Sequence, residues 1–236
     1  MGIISGLIDG IATGIGKIAG IATDICGAIG GAVMNAIGKF VVAFPGLGIG
    51  IEAIRVIVKI ICVVADILIN KPKEETPEEI GVKAERCKQE EGLTPEDFAS
   101  TEEYIEHLRK DIKVDQEKMN EMSEEQLQAY AAVGVGLYVR AMEERYGIKM
   151  EPEFWRAVYK AKVNPEQVPA LIQNMKACGV ESGKLLDSYL DGTLVAGSPE
   201  QKNVFAGLTR YAAEFGLEAP KAIQNMRQEY HRGGTI

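Results

Sequence analysis

Apolar residues recur at alternating steps of four and three along the start of the chain: Ile4, Ile8, Ile11, Ile15, Ile18, Ala22, Ile25 and Ile29. At 100° per residue these positions gather on one side of a helix. Asp9, Thr13, Lys17, Asp24, Asn35 and Lys39 gather on the other. Nearly all the glycines lie on that polar side. Gly2, Gly6, Gly10 and Gly14 fall every fourth residue, and Gly16, Gly20, Gly27 and Gly31 continue the series. The pattern predicts one long helix with a greasy face and a small, polar face. It runs to Phe44-Pro45-Gly46-Leu47-Gly48-Ile49-Gly50, where proline removes a donor and the glycines permit a turn. A second apolar helix is expected from about Ile51 to Ile69, with Glu52, Arg55, Lys59 and Asp66 in one narrow stripe. Residues 1–70 therefore read as a glycine-rich apolar helical hairpin.

Glycine costs a helix about 0.8–1 kcal/mol per residue against alanine. The nine glycines up to Gly31 sum to roughly 7–9 kcal/mol of lost propensity. Two environments offset such a cost. A missing side chain lets helix backbones approach closely, and lipid forces the backbone to bond to itself. The small face, Gly2 to Gly31, is thus expected to pack subunits of an oligomer. Asp9, Lys17, Asp24, Glu52, Arg55, Lys59 and Asp66 are expected to pair between helices or to line a lumen, since ionisable groups in a membrane face a bundle interior.

Asn70-Lys71-Pro72-Lys73-Glu74-Glu75-Thr76 marks an abrupt change of composition, and 71–76 reads as a linker. Beyond it, helix starts share one grammar: Thr76-Pro77-Glu78-Glu79, Thr94-Pro95-Glu96-Asp97, Asn164-Pro165-Glu166-Gln167 and Ser198-Pro199-Glu200-Gln201. A capping oxygen precedes a proline that fits the first helical position, and acids follow that favour the helix dipole. Ser123-Glu124-Glu125-Gln126 is a capping box without proline. These signals predict helices near 77–91, 95–121 with a break at Thr101, 124–146, 152–162, 165–178, 182–191, 199–215 and 219–231. Gly147, Gly179, Gly192 and Gly216 mark ends. Strand-like alternation is nearly absent. The fold class is all-α: the amino-terminal hairpin, then an acidic multi-helix domain over 77–236, large enough for its own core. Pro169–Lys176 echoes Pro220–Arg227 at an offset of 51 residues, a sign of a duplicated helical hairpin.

Charge sharpens the division. Four acids and four bases balance over residues 1–70, so the net charge of −8 belongs to 71–236. That acidity excludes nonspecific nucleic-acid binding, which needs Lys and Arg at the phosphates. Lys71 and Lys73 directly after the second apolar helix suggest a cytoplasmic side if the hairpin spans. The start lacks a basic n-region, so no cleavable signal peptide is expected.

Catalytic chemistry is sparse. There is no GK[ST] loop, GxSxG, HExxH or EF-hand loop. Cys26, Cys62, Cys87 and Cys178 form no CxxC pair and read as buried, reduced thiols; His107 and His231 show no metal-ligand spacing. No catalytic, cofactor or metal site is expected, and the chain reads as a non-enzyme. The favoured expectation is a membrane-inserting homo-oligomer, a pore or conduit, with the carboxy-terminal domain in an aqueous, reducing compartment and able to bind a protein partner. The alternative is a soluble structural subunit of a filament, tube or virion-like assembly. Lipid and further copies of the chain are the expected partners.

Overall fold

The computed structural model describes residues 3–232, with the surroundings of individual residues described from Gly16 onward. Among these residues there are twelve α-helices and no β-strand. Helix α7 (Glu124–Tyr146) is the axis, because its sequence is apolar on nearly every side: each residue from Val133 to Val139 is buried. A helix of that kind must be covered all round. The cover comes from α1 (Ile3–Ile29), α2 (Ala32–Ala43), α3 (Ile51–Leu68), α4 (Pro77–Glu91) and α5 (Thr101–Asp111). The capping box forms as read: the Ser123 hydroxyl accepts from the Gln126 N–H, and the Gln126 side chain accepts from the Ser123 N–H. Gly147, in the left-handed region, closes the helix.

The remaining helices are α6 (Gln116–Asn120), α8 (Pro152–Lys160), α9 (Val168–Ala177), α10 (Lys184–Asp191), α11 (Pro199–Glu214) and α12 (Ala219–Arg232). Helices α8 to α12 pack among themselves, and α8 and α9 also meet α3. Asp187 knots this end together. It accepts from Arg156 Nε at 3.0 Å and from the Tyr230 hydroxyl at 2.9 Å, joining α8, α10 and α12. Arg156 also donates to the Leu47 carbonyl at 3.1 Å, which ties the Phe44–Leu47 turn to the same knot.

Three expectations need correction. The amino-terminal segment is not a two-helix hairpin. Its first helix breaks at Gly30 (φ 80°) and Gly31 (φ 91°), and α2 folds back along α1, so that a methyl group added at Gly38 would stand 3.6 Å from the Cys26 Cβ. A right-handed helix cannot run through two left-handed residues. The Glu96 carboxylate holds the break by accepting from the Val33 N–H at 2.6 Å. Second, 95–121 is a single turn at Pro95–Asp97 followed by α5 and α6. Ser100 caps α5, and Asp115 restarts the helix at α6. Third, 71–76 is anchored rather than free. Lys71 is buried, donating to the carbonyls of Pro72 and Glu75 and pairing with Asp66 at 2.8 Å. Glu75 accepts two bonds from Arg109 and one from the Tyr138 hydroxyl.

The echoed segments lie at α9 and α12. Ile172 and Ile223, and Met175 and Met226, are all buried, while Gln173 and Gln224 are exposed. Further upstream the likeness fades: Phe154 is buried and Phe205, its counterpart, is exposed.

Candidate functional site

Packing α1–α3 on α7 leaves two concave features. The larger is an apolar groove of about 920 Å³ between α1, the α2–α3 turn, α3 and α7, walled by Ile18, Phe40, Phe44, Ile54, Val58 and Val135. Charges stand at its mouth. Arg55 donates to Glu52 at 2.8 Å and to Glu124 at 3.3 Å, and Lys17 donates to Glu125 at 3.3 Å. The Glu125 backbone N–H, and then Lys17, hold that carboxyl below the usual range. Cys62 lines the wall, and burial pushes its thiol up to about 11. A thiol raised in this way is mostly protonated near neutral pH.

The smaller feature is a shallow trough of about 460 Å³ along the outer side of the α1–α2 pair, lined by Thr23, Gly27, Gly30, Gly31, Asn35 and Val42 among others. Gly16, Gly20 and Gly27 are exposed, and a methyl group added at any of them would meet nothing within 4 Å. The described part of the glycine series thus faces outward, opposite the buried Ala19, Ala22, Ile25, Cys26 and Ile29. Gly31 has a different part. It forms the helix break beneath the Glu96 carboxylate at a positive φ that a side chain would strain. Gly2 lies outside the described residues, as do the surroundings of Gly6, Asp9, Gly10 and Gly14.

The polar stripe does not gather into one line. Lys17 and Arg55 turn to the acids at the start of α7, Lys59 stands at the groove, Asp66 pairs with Lys71, and Asp24 is exposed on α1. Sequence reasoning missed Glu124 and Glu125 as partners, because their place in a capping box already explained them. Nothing in the linear order points from Lys17 to residues more than a hundred positions away.

Outside the groove, Cys87, Glu91 and His107 converge between α4 and α5, the one group among the described residues with three ligand atoms close enough to share a metal ion. No helix among the described residues is long and apolar enough to cross a membrane. Compared with known protein families, curated proteins and solved structures, the chain matches none of them. What defines the class is therefore its own architecture: an all-helical protein built round α7, with a glycine-lined outer face.

Proposed function

We propose that the chain is a subunit of a homo-oligomeric assembly, in which the outward glycine face of α1 packs against a second copy. The observation that carries this is the open space over Gly16, Gly20 and Gly27. Within the chain those glycines serve no contact, yet each costs the helix about 1 kcal/mol. Close approach of another helix backbone offsets that cost, and a groove lined by small residues is the shape that admits one. A copy of the same face is the natural occupant, because a self-complementary patch closes a two-fold dimer without a second surface.

Membrane insertion is the second reading. The exposed Val42, Val56 and Ile67 favour it, since all three lie on the amino-terminal helices. It requires α1–α3 to leave α7, breaking the Lys17–Glu125 and Arg55–Glu124 pairs, and to span as an assembled bundle rather than as single helices.

Light scattering on the purified full chain in detergent-free buffer tests the assembly reading. The expected mass is a whole multiple of the 25.6 kDa chain, and replacing Gly16, Gly20 and Gly27 together by Leu should return a monomer. A wild-type monomer at high protein concentration sinks the assembly reading. Flotation of that monomer with anionic liposomes would then move the conclusion to insertion.

A further inference from the structure

We propose that Cys87, Glu91 and His107 form a binding site for a zinc-class divalent cation, with Asp111 positioning the histidine. Cys87 and Glu91 are four residues apart on α4 and so share one face of it. His107 is on α5, which packs against α4. Glu91 Oε2 lies 3.9 Å from Cys87 Sγ and 2.7 Å from His107 Nε2, and the three ligand atoms all fall within 4.8 Å of one another.

The hydrogen-bond pattern points to a cation. The Cys87 thiol and His107 Nε2 both aim at the same oxygen, Glu91 Oε2. The other ring nitrogen, Nδ1, lies 3.0 Å from Asp111 Oδ2. Placed there, the Asp111 carboxylate can orient the ring and favour the tautomer that leaves Nε2, on the side of Glu91 and Cys87, free to act as a ligand. That is the carboxylate–histidine arrangement that fixes tautomer and ring orientation at metal centres. Without a cation, Nε2 and Glu91 Oε2 share a hydrogen bond of 2.7 Å; a bound metal ion takes the place of its proton.

The fit is close. Tetrahedral zinc, with bonds of about 2.0–2.3 Å, separates its ligand atoms by about 3.3–3.8 Å. The sulfur–oxygen distance of 3.9 Å lies just outside that range and closes with a small side-chain movement. The nitrogen–oxygen distance opens by a small rotation of Glu91, the last residue of α4 and exposed. Phe98, with its ring centroid 5.2 Å from that of His107, walls one side. Three protein ligands leave a fourth position for water, and a thiolate beside an imidazole selects zinc-class ions over magnesium or calcium. Binding releases the thiol proton of Cys87, and any proton on Nε2, to solvent.

Cobalt(II), added to the chelator-treated full chain, is the probe. One equivalent should give a sulfur-to-cobalt charge-transfer band that zinc abolishes. Cys87→Ser should remove the band, while Cys62→Ser and Cys178→Ser keep it. Asp111→Asn should weaken binding by about 10–100-fold with the band intact. No charge-transfer band, or a band that survives Cys87→Ser, overturns the site. Should Cys87→Ser fail to fold, His107→Gln decides: its side chain is partly exposed, and unchanged zinc affinity in that variant overturns the proposal equally.

Discussion

The two ends of the molecule use the same residue types to opposite ends. Where α4 crosses α7, glycine closes space. A methyl group on Gly134 would stand 2.0 Å from the Pro77 carbonyl oxygen, and one on Gly81 would stand 2.1 Å from that of Tyr130. Along α1, Gly16, Gly20 and Gly27 open onto nothing. Charges divide in the same way. Asp187 is buried and holds Arg156 and Tyr230, whereas Arg55 is exposed between Glu52 and Glu124. The helix propensity lost at a glycine is the same in both places. At the α4–α7 crossing the chain itself supplies the close contact that offsets it, and over Gly16, Gly20 and Gly27 it does not. The α4–α7 crossing is closed on itself, and the α1–α2 face has an unfinished side.

The largest effect expected from this contrast is at the buried charge. Asp187→Ala removes the carboxylate shared by Tyr230 and Arg156, leaving the guanidinium only its bond to the Leu47 carbonyl. Removing one partner of a buried pair costs about 3–5 kcal/mol, so urea unfolding should show a loss of that size. A loss below about 1 kcal/mol would mean that water enters the knot and that the carboxy-terminal end is less closed than its contacts suggest.

The glycines come next, and there the two regions should differ in sign. Gly134→Ala drives a methyl group into backbone that cannot step aside, and should cost about 3 kcal/mol. Replacing Gly16, Gly20 and Gly27 together by Ala should raise the stability of the monomeric chain by about 2–3 kcal/mol through helix propensity alone. Both changes add only methyl groups to helical glycines, so chemical unfolding of the two variants side by side isolates the surroundings. A triple variant less stable than the parent would show that the α1 face is already covered.

How much of this was legible follows from the range of the forces involved. Helix ends depend on neighbours within four residues, so Thr76, Ser123 and Ser198 could be read directly as caps, and the structure puts each of their oxygens on the expected N–H. The apolar seam through Ala22, Ile25 and Ile29 was equally local. The break at Gly30-Gly31 was hidden, because the chain already carried so many glycines that two adjacent ones gave no distinct signal. What decides it is Glu96, more than sixty residues away. The metal-ligand cluster was invisible for the same reason. His107 stands twenty residues from Cys87 with a turn between them, and only the packing of α5 on α4 gives the spacing a meaning. Residues 71–76 read as a linker because the change of composition there is local, whereas the partners of Lys71, Asp66 and the Glu75 carbonyl, are set by the fold.

The smallest expected effect tests the open side from its polar edge. Arg55 reaches Glu124 across the mouth of the groove with nearly half of its side chain in solvent. An ion pair in that setting is worth about 0.2–1 kcal/mol and is screened by salt. Arg55→Ala should therefore lower stability by under about 1 kcal/mol, and the deficit should shrink further in high salt. A double-mutant cycle with Glu124→Ala separates the pair from lost packing of the arginine stem along the groove wall. If the coupling energy instead reached that of a buried pair, Arg55 would have to be shielded from water. Among the described residues no further surface shields it, so the shield would be brought by another molecule. The cycle would then need repeating at protein concentrations low enough to dissociate copies, where the coupling should fall back to the exposed value.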